Sequence, residues 1–165
     1  MKALIQRVKG PTKIVTQSPD LTETIEDSFD GVGLVALLGW LKSDESRSDL
    51  AQAEEWIRSR VTGLRVFPDS DGKMNLSLDD YMKENKVTGG ILWVPQFTLG
   101  GTLESGFRPS FTAAMEPIQA QKRFDIWSQQ SVALKSPYAQ ILGIFGGHME
   151  LSFTNWGPIT LMLEA

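Results

Sequence analysis

Gly33-Leu34-Val35-Ala36-Leu37-Leu38-Gly39-Trp40-Leu41 is apolar throughout, with no alternation of polar and apolar positions. That pattern belongs to a strand buried on both faces rather than to one with a wet side. A second run of the same kind, Ile91-Leu92-Trp93-Val94, leads directly into Pro95-Gln96-Phe97-Thr98-Leu99. Pro95 cannot donate to a ladder, so it marks the exit of that strand.

Shorter segments surround these two. Residues 2–8 and 12–16 read as strands parted by the breaker pair Gly10-Pro11. Residues 17–31 are polar and acidic, an expected loop or irregular hairpin. Ser48 is an N-cap candidate for a helix whose stripe is Leu50, Ala53, Ile57 and Val61, ending at Gly63. Leu64–Phe67 reads as a short strand, and the turn Asp69-Ser70-Asp71-Gly72 leads into Lys73-Met74-Asn75-Leu76. Residues 79–90 are a polar excursion.

A second helix starts near Pro117 and carries Ala120, Phe124, Trp127, Ser131 and Leu134 on one face. Ile141–Phe145, Met149–Phe153 and Ile159–Leu163 are three closing strands. Seven or eight strands against two helices predict a single mixed α/β (α+β) domain over residues 1–165. The strands come in runs, which argues against a doubly wound sheet.

Composition bounds the chemistry. The chain has 165 residues, 41% hydrophobic and 22% charged, an ordinary globular balance. No apolar stretch approaches the roughly 20 residues of a membrane-spanning helix, and the N-terminal segment lacks the build of a signal peptide. A cytoplasmic protein with no membrane partner is the expectation. There is no cysteine, which excludes disulfides and thiolate metal sites. A triad or zinc site would have to use the one histidine, His148. The net charge of −4 gives no global attraction to nucleic acid, so an RNA would be held by a local basic patch and by shape.

The usual catalytic constellations are missing. Gly100-Gly101 and Gly146-Gly147 lack the lysine or third glycine of a phosphate loop. Asp69/Asp71 and Asp79/Asp80 sit in turn-like sequence, where carboxylates cap or stay solvated. His148 between two strand segments reads as structural more readily than as a base. Thr98 is a nucleophile only with a base beside it; the plainer reading is a satisfied hydroxyl. Asn155-Trp156-Gly157-Pro158 reads as a turn exposing main-chain carbonyls, with the Gly157–Pro158 isomer left open.

Taken together, the chain resembles the D-aminoacyl-tRNA deacylase family. The resemblance runs from Met1-Lys2-Ala3-Leu4-Ile5-Gln6-Arg7-Val8 through Asp71-Gly72-Lys73-Met74-Asn75-Leu76 and Gln96-Phe97-Thr98-Leu99. It continues through Gly106-Phe107-Arg108-Pro109-Ser110-Phe111 and Gly143–Met149 to Asn155-Trp156-Gly157-Pro158-Ile159-Thr160, in the family's order. It implies mixed sheets curled into a barrel-like core with two main helices. It also implies a homodimer with its sites at the interface, acting on the aminoacyl ester at the 3′ end of tRNA, with neither metal nor cofactor and no DNA partner.

By that resemblance Gly157 and Pro158 of one subunit reach into the other's site, where their carbonyls meet the amino acid's ammonium. Gln96, Phe97 and Thr98 line the ester, with main-chain N–H groups as oxyanion donors. The RNA's own 2′-hydroxyl assists, so no protein triad is needed. Met149 and Phe145 form an adenosine pocket. Arg7, Lys73 and Arg108 are candidates for phosphate or site-shaping contacts, with a structural ion pair the alternative for Arg7.

The sequence also departs from the family. Pro95 stands where the family has serine, and a sister branch that carries Pro-Gln there clears L-alanine from threonine tRNA. Phe97 and Arg7 match the D-specific branch. Residues 79–90 run longer than usual, and His148 and Gly146-Gly147 replace an acidic residue and an alanine-type pair. A non-catalytic binding homologue and a purely structural dimer are the readings outside enzymology.

Overall fold

The longest continuous ladder begins at the first residues. In the computed structural model, which describes residues 1–104 and 106–165, β1 runs unbroken over Lys2–Gln17. Gly10-Pro11 does not split it into two strands as expected. Instead β1 bulges there: its pairing with β8 (His148–Glu164) jumps from Lys9↔Thr154 to Lys13↔Ser152. An extra residue in a ladder bends a strand without ending it, and Gly10, at φ +75°, takes the left-handed turn.

The bend lets β1 serve two neighbours on one edge. Residues 2–9 pair antiparallel with β3 (Val32–Gly39), and residues 12–17 pair with β2 (Thr24–Phe29). The segment expected as a loop or irregular hairpin thus contains β2. Beyond β3 lie β6 (Gly89–Pro95) and β7 (Ala139–Leu142), both parallel to it, in the order β2-β1-β3-β6-β7 with β8 on the other edge of β1. β2 and β7 approach each other, so the sheet is nearly closed into a barrel. A small hairpin of β4 (Phe67–Pro68) and β5 (Met74–Leu76) stands apart. Of the expected strand 64–67 only Phe67 is in a ladder, and the closing strands 149–153 and 159–163 are one strand, β8.

The two apolar runs behave as their patterning requires. Along β3 and β6, Leu34, Ala36, Leu38, Ile91 and Trp93 face a core shared with α1 (Leu50–Thr62) and α3 (Pro117–Ala133). The intervening Val35, Leu92 and Val94 face a second cluster inside the barrel, with Val8, Ile14, Phe29 and Ile141. Helix α1 ends at Gly63 as expected, but Asp49 rather than Ser48 occupies its N-cap position.

A third helix, α2 (Leu78–Asn85), occupies the polar excursion. Ser77 caps it by accepting from the Asp80 N–H at 3.2 Å. Its apolar side is only Leu78, Tyr81 and Met82, too short a stripe for helical periodicity to stand out. The domain is therefore mixed α+β, with eight strands and, among the described residues, the two main helices expected, α1 and α3, joined by the shorter α2.

Phe29 packs against the paired glycines Gly33 of β3 and Gly90 of β6. A Cβ on Gly90 would stand 2.5 Å from its Cγ, and one on Gly33 would stand 2.5 Å from the ring and 2.2 Å from the Gly90 carbonyl oxygen. Gly90→Ala is expected to cost about 1–3 kcal/mol by overpacking and Phe29→Ala about 3–5 kcal/mol by cavity formation. The double variant should lose at least about 1 kcal/mol less than the two combined, measured by urea unfolding. Strict additivity would contradict this packing.

Candidate active site

Strands β3, β6 and β7 are parallel, so their carboxyl ends lie on one side of the sheet. A groove of about 680 Å³ opens there, in the position where α/β sheets place ligands. Its lining follows the strand order: Lys42 comes after β3, Pro95 ends β6 with Gln96 and Phe97 after it, and Phe145 to Met149 come after β7. Ala114–Pro117 complete it before α3.

Pro95 is buried at the end of β6. A Cβ on Gly143 would come 3.0 Å from Pro95 Cδ and 2.8 Å from Met149 Sδ, so these three residues pack as one wall. The Gln96 N–H donates to the Leu38 carbonyl at 2.6 Å, tying the turn to the end of β3. The chain then tightens into a 3-10 turn, Phe97–Gly100. The first N–H groups of such a turn have no intrahelical acceptor, and those of Phe97 and Thr98 donate to no main-chain carbonyl among the described residues. They are two adjacent donors on the turn whose Gln96 and Phe97 line the groove. Phe97 is half exposed and meets the Phe111 ring edge-on at 5.1 Å.

Thr98 is exposed, and its hydroxyl oxygen accepts from Gln96 Nε2 at 2.6 Å. No histidine, lysine or carboxylate hydrogen-bonds it among the described residues. The turn therefore fixes two polar side chains against each other without a nucleophile–base pair. His148 is exposed at the groove's rim, not buried beside a partner.

Gly157 and Pro158 form a second constellation outside this groove. The ladder between β1 and β8 is interrupted: Gln6 pairs with Thr160 and Val8 with Asn155, so two steps on β1 face five on β8. Residues 156–159 leave the pairing, Gly157 and Pro158 are exposed, and the peptide bond between them is cis.

Arg7 lies at this gap and is 7% exposed. Its Nε donates to the Trp156 carbonyl at 2.9 Å, its Nη1 to the Val66 carbonyl at 2.5 Å, and its guanidinium lies 4.2 Å over the Trp156 ring. Burial pushes its pKa below the ordinary value, with Tyr81 partly opposing; an arginine stays protonated through such a shift. Arg7 anchors two main-chain carbonyls and, among the described residues, takes part in no ion pair.

Of the residues singled out in the sequence, Pro95, Gln96, Phe97, Phe145, Met149 and His148 share the groove. Thr98 joins it through Gln96, while Arg7, Gly157 and Pro158 lie together elsewhere. Arg108 is on the exposed segment after the 3-10 turn and Lys73 on the exposed hairpin turn; neither lines the groove. Lys42, Phe111, Met115 and Glu116 were not anticipated. They come from segments between elements, whose convergence has no local signature.

Comparison with known proteins agrees with this architecture. The family described as D-Tyr-tRNA(Tyr) deacylase matches residues 4–164. The D-aminoacyl-tRNA deacylase of Chloroherpeton thalassium is 39% identical over 165 residues, covering 100% of this chain and 96% of that one. The enzyme of that name from Aeromonas hydrophila is 36% identical over 99% of each chain. Among solved structures, a c-Myc DNA unwinding element binding protein superposes with a TM-score of 0.77 at 30% identity over 100% of this chain and 99% of that one. A probable eukaryotic D-amino acid tRNA deacylase superposes at 0.67 over 99% of each chain; at 16% identity it speaks to the fold alone.

Arg7→Lys keeps the charge but cannot reach both carbonyls with a planar fork. A loss of about 1–3 kcal/mol is expected in urea unfolding. Stability unchanged from the parent would mean that the two carbonyl contacts contribute nothing.

Proposed function

The chain belongs to the D-Tyr-tRNA(Tyr) deacylase family, and we propose that it is a cytoplasmic editing hydrolase. It cleaves the ester between a mischarged amino acid, D-configured or glycine, and the 3′-terminal adenosine of tRNA. The observation that carries this reading is the pair of Phe97 and Thr98 N–H groups, unpartnered among the described residues, on the turn whose Gln96 and Phe97 line the groove. Donors fixed in advance suit the oxyanion of a tetrahedral ester intermediate and need no reorganisation when charge develops.

Water attacks the ester carbon, negative charge moves to the carbonyl oxygen, and the Phe97 and Thr98 N–H groups receive it. The alkoxide of the ribose leaves with a proton. Thr98 has no base against it, which favours the 2′-hydroxyl of the terminal ribose as the group that orients the water and carries that proton. Gln96 holds Thr98 and the turn in register. Phe145 and Met149 supply apolar surface for the adenine face. Lys42, the sole Lys or Arg lining the groove among the described residues, supplies positive charge for the adjoining phosphate.

The functional unit in this proposal is a homodimer. Gly157 and Pro158 are exposed and away from their own chain's groove, as segments that complete a partner's site would be. Strand β8 pairs with β1 on one edge and with no strand on the other among the described residues, and Leu161 and Met162 are exposed along it. The Gly157 and Pro158 carbonyls of one subunit then meet the ammonium of the amino acid in the other. Arg108 and Lys73, on exposed segments, remain candidates for phosphates of the acceptor stem.

Pro95 supports a second reading, L-Ala-tRNAThr as substrate, through the sister branch that carries Pro-Gln. The Pro95 ring is buried against Gly143 and Met149. In that position the ring shapes the wall beside Met149, on the adenosine side. Incubation with D-Tyr-tRNA, Gly-tRNA and L-Ala-tRNAThr separates the readings. Release from the first two is expected; release from the third alone selects the alternative, and release from none leaves a binding homologue.

The chemistry has its own test. Thr98→Val should keep deacylation within about tenfold of the parent, whereas loss of a covalent nucleophile would cost about a thousandfold or more. A tRNA ending in 2′-deoxyadenosine should be hydrolysed at least about a hundredfold more slowly. An unchanged rate on that substrate would remove the substrate-assisted mechanism.

A further inference from the structure

Helix α2 reaches the Gly157-Pro158 segment through one side chain. Leu78 is fully buried and fastens the helix to the main core, and three residues on, Tyr81 lies on the same face. The Tyr81 ring is 5.4 Å from Phe67 and 5.9 Å from Trp156, and Phe67 and Trp156 are 6.3 Å apart. Three mutually packed rings at these separations and tilts attract one another beyond the area they bury.

Trp156 is held on several sides. Arg7 covers one face of its indole and holds its carbonyl, and Arg7 also holds the carbonyl of Val66, which precedes Phe67. A Cβ on Gly157 would stand 3.2 Å from Arg7 Nη2. The main chain entering Gly157 therefore lies against the guanidinium, which itself covers a tryptophan whose ring also meets Phe67 and Tyr81. Phe67 is fully buried on β4. Tyr81 is half-buried and comes from a separate helix.

We propose that Tyr81 is a positioning residue for the deacylase: its ring clamps Trp156 against Phe67 and Arg7 and so aims the Gly157 and Pro158 carbonyls. The inference rests on reading those carbonyls as the groups that screen the amino acid. The tyrosine hydroxyl makes no hydrogen bond within the chain among the described residues, so the ring alone performs this task.

The full chain with Tyr81→Ala, Tyr81→Leu and Tyr81→Phe tests it. For each variant, kcat/KM is measured on D-Tyr-tRNA and on L-Tyr-tRNA below the variant's melting temperature. Tyr81→Phe should keep the parent's ratio. Tyr81→Ala, or Tyr81→Leu if the alanine variant does not fold, should lower the D-to-L ratio by about tenfold or more. A purely structural tyrosine would lower the melting temperature and leave the ratio unchanged, and that result would overturn the proposal.

A second readout does not depend on activity. In protein labelled with 5-fluorotryptophan, the Trp156 resonance is assigned by its loss in Trp156→Phe. It should shift in Tyr81→Ala or Tyr81→Leu and stay in Tyr81→Phe. A resonance unmoved in every variant would remove the clamp. If the parent releases neither D-tyrosine nor glycine, the functional reading fails on that assay, while the fluorine spectrum still decides the clamp.

Discussion

β1 is paired along both edges, and the rest of the structure depends on that constraint. One edge is divided between β3 and β2, and the other is taken by β8 over nearly its full length. A strand so enclosed has no freedom of register, because a slip of one residue would turn Ile5 and Val8 out of their cores. The ladder can accommodate irregularity only as bulges, and it has two. The first, at Gly10–Thr12, bends β1 so that the sheet curls. The second takes residues 156–159 of β8 out of the pairing and leaves Arg7 beneath them. The Gly157-Pro158 segment is thus an excursion whose two ends are both fixed in the same ladder.

The same enclosure explains why a charged side chain, Arg7, is buried beneath the excursion. A segment out of the pairing leaves carbonyls that no strand satisfies, and an unsatisfied buried carbonyl costs about 1–3 kcal/mol. Arg7 meets that need for Trp156 and for Val66 together. Its own burial is compensated by these bonds and by the indole face, which is why its guanidinium can lie beneath aromatic side chains rather than at a carboxylate. The groove is organised differently: its polar groups are main-chain N–H groups at a strand end, held in place by the bond from Gln96 to the Leu38 carbonyl.

Much of the fold was legible in the sequence because its strongest signals are local. Gly33–Leu41 and Ile91–Val94 could only be doubly covered strands, and α1 and α3 present stripes long enough for a helical period to emerge. Helix α2 escaped because eight residues carry just Leu78, Tyr81 and Met82 on the inner side. Breaker chemistry at Gly10-Pro11 and at Gly157-Pro158 suggested strand ends. Tertiary pairing on both flanks turned these sites into bulges within continuous strands. The groove was legible in its two motif-bearing walls, Pro95–Phe97 and Phe145–Met149. It was not legible at Lys42, Phe111 and Met115, which meet only because three parallel strands end together. The role of Arg7 was half legible: the residue was noticed, but its acceptors are main-chain carbonyls, which no side-chain pattern reveals.

A site with one histidine at its rim and a threonine bound by a glutamine would be poorly equipped for acyl chemistry that needs a strong protein base. An aminoacyl ester on a ribose makes a smaller demand. Its carbonyl is already activated, and a hydroxyl lies on the neighbouring carbon, so the missing contribution is placement and charge stabilisation. Main-chain groups supply both with little dependence on side-chain identity. On the proposed reading this holds for the Phe97 and Thr98 N–H groups toward the oxyanion and for the Gly157 and Pro158 carbonyls toward the ammonium. Selectivity then resides in where the backbone points. Residues that aim the backbone, Arg7 under the excursion and Gln96 at the turn, become as consequential as any that touch the substrate.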